Sequence, residues 1–209
     1  EIVSTGMTFW DVKSELTRDR YDVFYFPGGG KSRIHAKALG KEGQDRIREF
    51  VRSGGGYLGI CSGAYAAVCG PKTYNMGLAN AKVVSSWTFS GKVEIRMGEG
   101  AGEVLTSPEY APGTVRKIVH ANGPLLEPYD KSKPGYVTIA TLTGDEVTKC
   151  EKHIPIKGHP SMLYGFYGKG RVVVCSSHPE LGDKVTGNAD MVPELMRWVA
   201  GVNRGLEAH

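Results

Sequence analysis

Short apolar runs alternate with amphipathic segments and glycine-rich turns over the first third of the chain. Residues 22–26 (DVFYF) and 57–60 (YLGI) are such runs, and residues 171–175 (RVVVC) form a later one. Runs of this kind are typical of strands buried on both faces of a parallel sheet, and we expect 22–26 to be a central strand. Residues 42–52 (EGQDRIREFVR) predict an amphipathic helix that ends at the glycines after it. The alternation predicts an α/β fold with a mostly parallel central sheet.

The pattern becomes β-rich beyond Gly70, which predicts a β-hairpin or antiparallel extension added to the α/β core. The β-rich segments are residues 81–85, 92–96, 117–119 and 136–142. Residues 63–68 are small enough for a helix that packs close to the sheet, and residues 191–202 predict a closing helix capped by Asn188 or Asp190. Because the sequence shows no internal repeat or linker, we expect a single domain over residues 1–209.

The composition is that of a soluble globular protein. Of the 209 residues, 40% are hydrophobic and 23% are charged, and the net charge of +4 comes from scattered lysines and arginines. Without a basic stripe we expect no nucleic-acid partner. No apolar run approaches the ~18 residues of a membrane span, so we expect no membrane association. The cytoplasm is favoured, and secretion stays open if an N-terminal segment was removed.

The cysteines and histidines form no metal or disulfide pattern. Four irregularly spaced cysteines are too few for a disulfide framework or a CxxC-type metal site. A bridge between Cys69 and Cys150 would need an oxidising compartment, and free thiols are the favoured state. The six histidines lack the HExxH spacing, so we expect no metal and no other cofactor.

Cys61 stands between glycines in the stretch GYLGICSGAY. The spacing Gly59-x-Cys61-x-Gly63 is that of a nucleophile elbow, in which a strained turn from strand to helix lifts the nucleophile out of the sheet. Side chains at the two glycines would collide with neighbouring backbone, and the start of the following helix would favour a thiolate. Taken alone the pattern is weak, because a buried cysteine that packs as a small hydrophobe fits it too.

His178 and Glu180 follow the predicted strand 171–175 in the stretch SSHPE. A thiolate that accepts an acyl group needs a nearby base, and that base needs an orienting partner. At positions i and i+2 of an extended segment the two side chains project to the same side, so Glu180 can reach the imidazole. This segment and Cys61 both follow parallel strands, whose carboxyl ends meet at one edge of the sheet. The alternative is a pair that only caps a loop.

The glycine stretch FPGGG follows the first predicted strand. Acyl transfer needs donors aimed at the developing oxyanion, and backbone N–H groups in a glycine loop supply them without an intervening side chain. We therefore predict an oxyanion hole built from Gly28, Gly29 and the N–H group of Ser62.

Three further side chains are weaker candidates for substrate binding. Arg33 and His35 lie just past the glycine loop, where a guanidinium would pair with a substrate carboxylate. His120 lies in the turn HANGP. The plainer interpretation is that Arg33 and His35 are solvated loop residues and that His120 belongs to a simple turn.

The chain resembles the class I glutamine amidotransferase-like superfamily in three stretches that follow one another in this order: FYFPGGG, GGGYLGICSGAY and GRVVVCSSHPE. The stretches KEGQDRIREFVRSGGG, HANGPLLEP and YGKGRVVV are similar to its biotin-protein ligase N-terminal-type subgroup. The resemblance covers most of the chain and implies a flavodoxin-like three-layer sandwich. It also implies Cys61 as the nucleophile, His178 as the general base and Glu180 as the residue that orients it.

Two departures from the family pattern bear on function. Family members usually begin with a strand and a helix that precede the part corresponding to Glu1, so we expect this first unit to be missing. The sequence also shows no synthase or ligase domain that would receive ammonia, which puts transfer to an acceptor in doubt.

The residues predict an enzyme, an amidotransferase-like cysteine hydrolase. We expect thiolate attack on an amide or γ-glutamyl carbonyl of a small molecule, a thioester intermediate and hydrolysis through His178. Two alternatives are a binding or regulatory module that retains the triad without turnover, and a cysteine peptidase on the same scaffold. A homodimer, or an unidentified partner that accepts ammonia, stays open.

Overall fold

A computed structural model describes residues 2–85, 90–144, 146–149, 152–181 and 188–202. Helices and strands alternate over the first third of these residues, and strands predominate after residue 67. The helices are α1 (Phe9–Glu15), α2 (Ser32–Arg52), α3 (Ser62–Ala67), α4 (Glu99–Val104) and α5 (Met191–Val199). The strands are β1 (Val23–Phe26), β2 (Gly56–Ile60), β3 (Val68–Cys69), β4 (Ala79–Ser85), β5 (Ser90–Met97), β6 (Val115–Ala121), β7 (Leu125–Pro128), β8 (Val137–Leu142), β9 (Glu146–Lys149), β10 (Lys152–Pro155), β11 (Pro160–Tyr167) and β12 (Gly170–Cys175).

The main sheet has seven strands in the order β1-β2-β12-β11-β8-β5-β6. Strands β1, β2 and β12 are parallel to one another, and the remaining neighbours pair antiparallel. Two small sheets, β3-β4-β7 and β9-β10, are added to it. The predicted α/β, flavodoxin-like fold class with an antiparallel extension is confirmed. The main sheet is mixed rather than mostly parallel, since two of its six neighbouring strand pairs are parallel.

Two apolar cores lie on opposite faces of the main sheet, which gives three layers. Leu58 and Ile60 of β2 pack into one core with residues of α4 and α5. Tyr57 of the same strand packs into the other core with residues of α1, α2 and α3. Because both faces are covered, the whole of β2 is buried, which explains its continuous apolar sequence.

Strand β1 lies at the edge of the main sheet, so the prediction of a central strand is wrong. Within the described residues it pairs only with β2. Phe26 is buried, whereas Val23, Phe24 and Tyr25 are half-buried. The apolar run still has a physical reason, since Val23 and Tyr25 pack against one core and Phe24 against the other. An apolar sequence indicates that both faces of a strand are covered, but it does not indicate how many neighbouring strands the strand pairs with.

The structure changes the predicted start of helix α2 and the predicted cap of helix α5. Helix α2 ends at Arg52 as predicted but begins earlier, at Ser32, and Gly40 interrupts its helical backbone with φ 61° and ψ −174°. Asp190 holds the N-cap position of α5, but its side chain does not cap the helix. Its carboxylate instead accepts a hydrogen bond from the Tyr110 hydroxyl.

The described helices include none that is both long and apolar enough to cross a membrane. Cys61, Cys69 and Cys175 carry free thiols. Cys150 lies outside the described residues.

Candidate active site

Cys61 occupies the turn between β2 and α3 with φ 50° and ψ −96°. This left-handed backbone is costly for a residue with a side chain, and it persists only where the surroundings enforce it. The Cys61 N–H group donates to the Cys175 carbonyl at 2.8 Å, and the Cys61 carbonyl accepts from the Tyr65 N–H group at 3.0 Å. Strand β12 and helix α3 thus hold the turn from both sides and leave the thiol half-buried.

Two glycines make this turn sterically feasible. A Cβ atom at Gly63 would lie 2.3 Å from the Phe26 carbonyl oxygen, and one at Gly59 would lie 2.7 Å from the Gly63 carbonyl oxygen. Both contacts are with backbone, which cannot rotate away. The predicted collision at the two glycine positions is confirmed.

His178 lies beside the turn, directly after β12. Its backbone N–H group donates to the Val119 carbonyl at 2.8 Å, which ties the segment to β6. Its imidazole is buried, and the distance from Nδ1 to the Glu180 Oε1 atom is 2.7 Å. A short, buried contact of this kind fixes the ring orientation and makes Nδ1 the hydrogen-bond donor to the carboxylate.

The electrostatics of His178 favour its charged form. Burial lowers the pKa of His178, but hydrogen bonds with Cys61 and Glu180, together with the charges of both groups, outweigh burial and raise the pKa to about 10. An imidazolium beside Cys61 would stabilise a thiolate there.

The backbone carbonyl of Ala121, at the end of β6, faces both members of this pair. Its oxygen accepts a hydrogen bond from the Cys61 thiol at 3.5 Å and lies 3.3 Å from the His178 Nε2 atom. Since a carbonyl oxygen only accepts, the Nε2–H group donates to it and shares its hydrogen with the Cys61 sulfur, with which His178 also makes a hydrogen bond. Both ring nitrogens of His178 thus have acceptors. Sequence reasoning missed this contact, because any residue at position 121 carries a carbonyl group.

The glycine loop passes directly over the His178–Glu180 pair. A Cβ atom at Gly28 would lie 2.6 Å from the His178 Cε1 atom and 3.3 Å from the Glu180 Oε1 atom, so the loop approaches the pair as only glycine allows. Gly29 adopts φ 96°. Ser62 follows Cys61 immediately and is buried. The oxyanion-hole role of these three residues stays a prediction.

His35 contacts the elbow, whereas Arg33 is exposed. The His35 Nδ1 atom lies 3.0 Å from the Ser62 hydroxyl. The His35 ring packs near the rings of Phe9 and Phe26, each at 5.5 Å between centroids. Burial lowers the pKa of His35, which favours the neutral ring. His35 is thus placed to support Ser62, and a substrate-binding role for Arg33 stays a prediction.

The structure corrects the expectation for His120. The residue is only 1% exposed, so it cannot contact a substrate from this position. Its pKa is lowered to about 4 by burial and by the nearby charge of His178. His120 therefore lies behind the site as a neutral ring. Among the residues that the structure describes, no group of three His, Cys, Asp or Glu side chains is arranged to hold a metal ion.

The comparison by sequence covers the first half of this site. Residues 13–111 match the family model described as Biotin-protein ligase, N terminal. The matched part contains the glycine loop and Cys61 and ends before the residues around His120 and His178. No curated protein matches the chain by sequence.

Solved structures match the chain by fold. A ThuA-like protein from Bacteroides uniformis has a TM-score of 0.60 and 14% identity over 93% of this chain and 75% of its own. PurLQS from Thermotoga maritima has a TM-score of 0.56 and 14% identity over 87% of this chain and 82% of its own. A β-galactosidase from Bacillus circulans has a TM-score of 0.45 and 11% identity over 85% of this chain, which spans only 21% of that enzyme chain. The chain has the class I glutamine amidotransferase-like fold, and the resemblance stated from the sequence is confirmed.

Proposed function

We propose that the protein is an amidotransferase-like cysteine hydrolase that uses Cys61, His178 and Glu180. One observation carries the proposal: the strained Cys61 turn lies beside an imidazole whose Nδ1 atom is 2.7 Å from Glu180 and whose pKa is raised to about 10. A nucleophile, a base and an orienting carboxylate in this order are the minimum that acyl transfer through a thioester requires.

The proposed reaction has two steps. In the first, the Cys61 thiolate attacks the amide carbonyl, the C–N bond breaks, and the His178 imidazolium gives its proton to the leaving amine. In the second, water attacks the thioester and loses a proton to His178, after which the C–S bond breaks. The products are a carboxylic acid and an amine or ammonia, and the enzyme returns to its starting protonation state. Gly28, Gly29 and Ser62 would supply the oxyanion donors in both steps.

Cys69 offers a matched control for the reactivity of Cys61. Both thiols are half-buried, and their sulfur atoms lie at similar distances from a backbone carbonyl, 3.5 Å to Ala121 for Cys61 and 3.4 Å to Ala79 for Cys69. The two differ in that His178 adjoins Cys61 alone, whereas burial raises the pKa of the Cys69 thiol. At neutral pH, iodoacetamide should therefore alkylate Cys61 at least ~10-fold faster than Cys69, measured site by site by mass spectrometry. Equal rates would contradict the proposal.

Turnover separates the proposed hydrolase from the alternatives. The wild-type protein, Cys61→Ser and Cys69→Ser are assayed on glutamine, γ-glutamyl anilides and short peptides. The proposal predicts release of ammonia or aniline by the wild-type protein and by Cys69→Ser, and none by Cys61→Ser. Cleavage of peptides alone would indicate a cysteine peptidase. A reactive Cys61 without turnover on any of these compounds would indicate a binding module.

A further inference from the structure

The turn formed by residues 120–124 (HANGP) is attached to the segment that leads into His178. A Cβ atom at Gly123 would lie 1.8 Å from the Ser176 carbonyl oxygen, so the two backbones touch. The Ser176 hydroxyl donates to the Pro124 carbonyl. These contacts, with the bond from the His178 N–H group to the Val119 carbonyl, join the two segments at His178 and just before it.

His120 lies at the centre of this junction. Its Nδ1 atom is 3.1 Å from the Ser177 hydroxyl, and the Ser161 hydroxyl donates to the same Ser177 oxygen at 2.8 Å. Since Ser177 accepts from Ser161, its own proton is free to be donated to the His120 Nδ1 atom. The ring also makes a hydrogen bond to the backbone of Gly123. His120 thus connects the residue before His178 to the turn that carries Ala121.

The same turn is fixed from the opposite side. Asn122 adopts a left-handed backbone with φ 56°, and its carbonyl accepts a hydrogen bond from the Tyr65 hydroxyl at 3.2 Å. Tyr65 belongs to α3, the helix that follows Cys61. The position of the Ala121 carbonyl is therefore set jointly by the elbow and by the buried His120 junction.

We propose that His120 is a positioning residue that, by joining Ser177 to Gly123, holds the Ala121 carbonyl against the Nε2 atom of His178 and the sulfur of Cys61. This inference rests on the proposed function. With Glu180 on Nδ1 and Ala121 on Nε2, His178 has an acceptor for each N–H group, which favours the imidazolium that the thiolate needs. A neutral His120 suits this role, because a second cation here would repel the proton on His178.

The test is the pH profile of Cys61 alkylation in the full chain. In the described part of the chain, the ionisable groups that interact with His178 are Cys61, Glu180 and His120, and Tyr25 and Cys175 interact with Glu180 in turn. His120→Phe fills the space and removes both hydrogen bonds. His120→Asn retains an acceptor near the position of Nδ1. His159→Phe is the matched control, since the His159 Nδ1 atom bonds to a backbone carbonyl, that of Leu126 at 3.0 Å, outside the site.

The proposal predicts that His120→Phe lowers the alkylation rate at neutral pH by at least about 10-fold, as expected for a misplaced catalytic group, and that the rate recovers at higher pH. His120→Asn should restore part of the neutral-pH rate, and His159→Phe should leave the profile unchanged even if the protein is less stable. A purely structural role would lower stability without moving the profile.

Two outcomes would overturn the inference, and they are distinguishable. If wild-type Cys61 reacts no faster than Cys69, the proposed function fails and the inference fails with it. If wild-type Cys61 is reactive and folded His120→Phe keeps the wild-type profile, only the inference fails. Should His120→Phe not fold, Ser177→Ala removes the Nδ1 partner, together with the acceptor of the Ser161 hydroxyl, and must shift the profile in the same direction. An unshifted profile would again overturn the inference.

Discussion

The parallel and antiparallel parts of the main sheet contribute different kinds of groups to the site. The parallel strands β1, β2 and β12 lead into the glycine loop, Cys61 and His178. The antiparallel strand β6 ends at Ala121, which contributes a backbone carbonyl. The first part therefore supplies the side chains of the proposed triad on tight turns, and the second supplies a backbone acceptor placed by buried polar contacts. In the proposed site the chemistry depends on residue type, whereas the alignment of the groups depends on packing between distant segments.

The largest effect is expected in the parallel part, at Gly63. Gly63→Ala would place its Cβ atom 2.3 Å from the carbonyl of Phe26, the buried last residue of β1, against a helix that is buried throughout. Since neither can move freely, we expect the free energy of unfolding to fall by about 3 kcal/mol. Gly135→Ala is the control, because no atom lies within 4 Å of its Cβ position. Urea unfolding measures both, and equal stability of the two variants would show that the elbow is not sterically constrained.

A smaller loss of stability is expected in the antiparallel part, at Gly123. Gly123→Ala would place its Cβ atom 1.8 Å from the Ser176 carbonyl, and relief of this overlap requires a shift of the 120–124 turn that strains its hydrogen bonds with Tyr65 and Ser177. We expect a loss of about 1 to 2 kcal/mol together with slower alkylation of Cys61, because Ala121 moves with the turn. If Gly123→Ala is less stable but Cys61 is still alkylated at the wild-type rate, the position of the turn does not affect the reactivity of Cys61.

The two buried histidines should give opposite pH dependences of stability. His178 has a folded-state pKa raised to about 10, so its contribution is complete below the unfolded-state value of about 6.5 and is lost as the pH rises toward 10. His120 has a pKa lowered to about 4, so its contribution is present above about 6.5 and is lost as the pH falls toward 4. Urea midpoints measured across this range should decline less steeply in acid for His120→Phe than for the wild-type protein. An unchanged acid limb would mean that His120 takes up its proton over the same pH range in the folded and the unfolded protein, which contradicts the lowered pKa.

The parts of the site that follow from steric rules could be predicted from the sequence. The strand before Cys61, the two elbow glycines and the contact of His178 with Glu180 each depend on residue type and short spacing. The helix over residues 42–52 was predictable for the same reason, since its buried residues recur at helical spacing.

The remaining features depend on contacts between segments far apart in the chain. The edge position of β1 depends on which strands pair, and an apolar sequence does not encode that. The buried position of His120 depends on Ser177, which meets it across the fold and is bonded in turn by Ser161, and a histidine in a turn-like sequence gives no sign of these contacts. The Ala121 carbonyl has no sequence signal at all.

The protonation state of His178 tests the central claim most directly. Nitrogen-15 chemical shifts of the imidazole report whether each ring nitrogen carries a proton. They are measured at pH 8 and through a pH titration, in the wild-type protein and in Cys61→Ser. With a pKa raised to about 10 by Cys61 and Glu180, the wild-type ring should be an imidazolium at pH 8, and removal of the thiol should make it lose its proton at lower pH. A neutral wild-type ring at pH 8, or identical titration in the two proteins, would contradict a thiolate–imidazolium pair at this site.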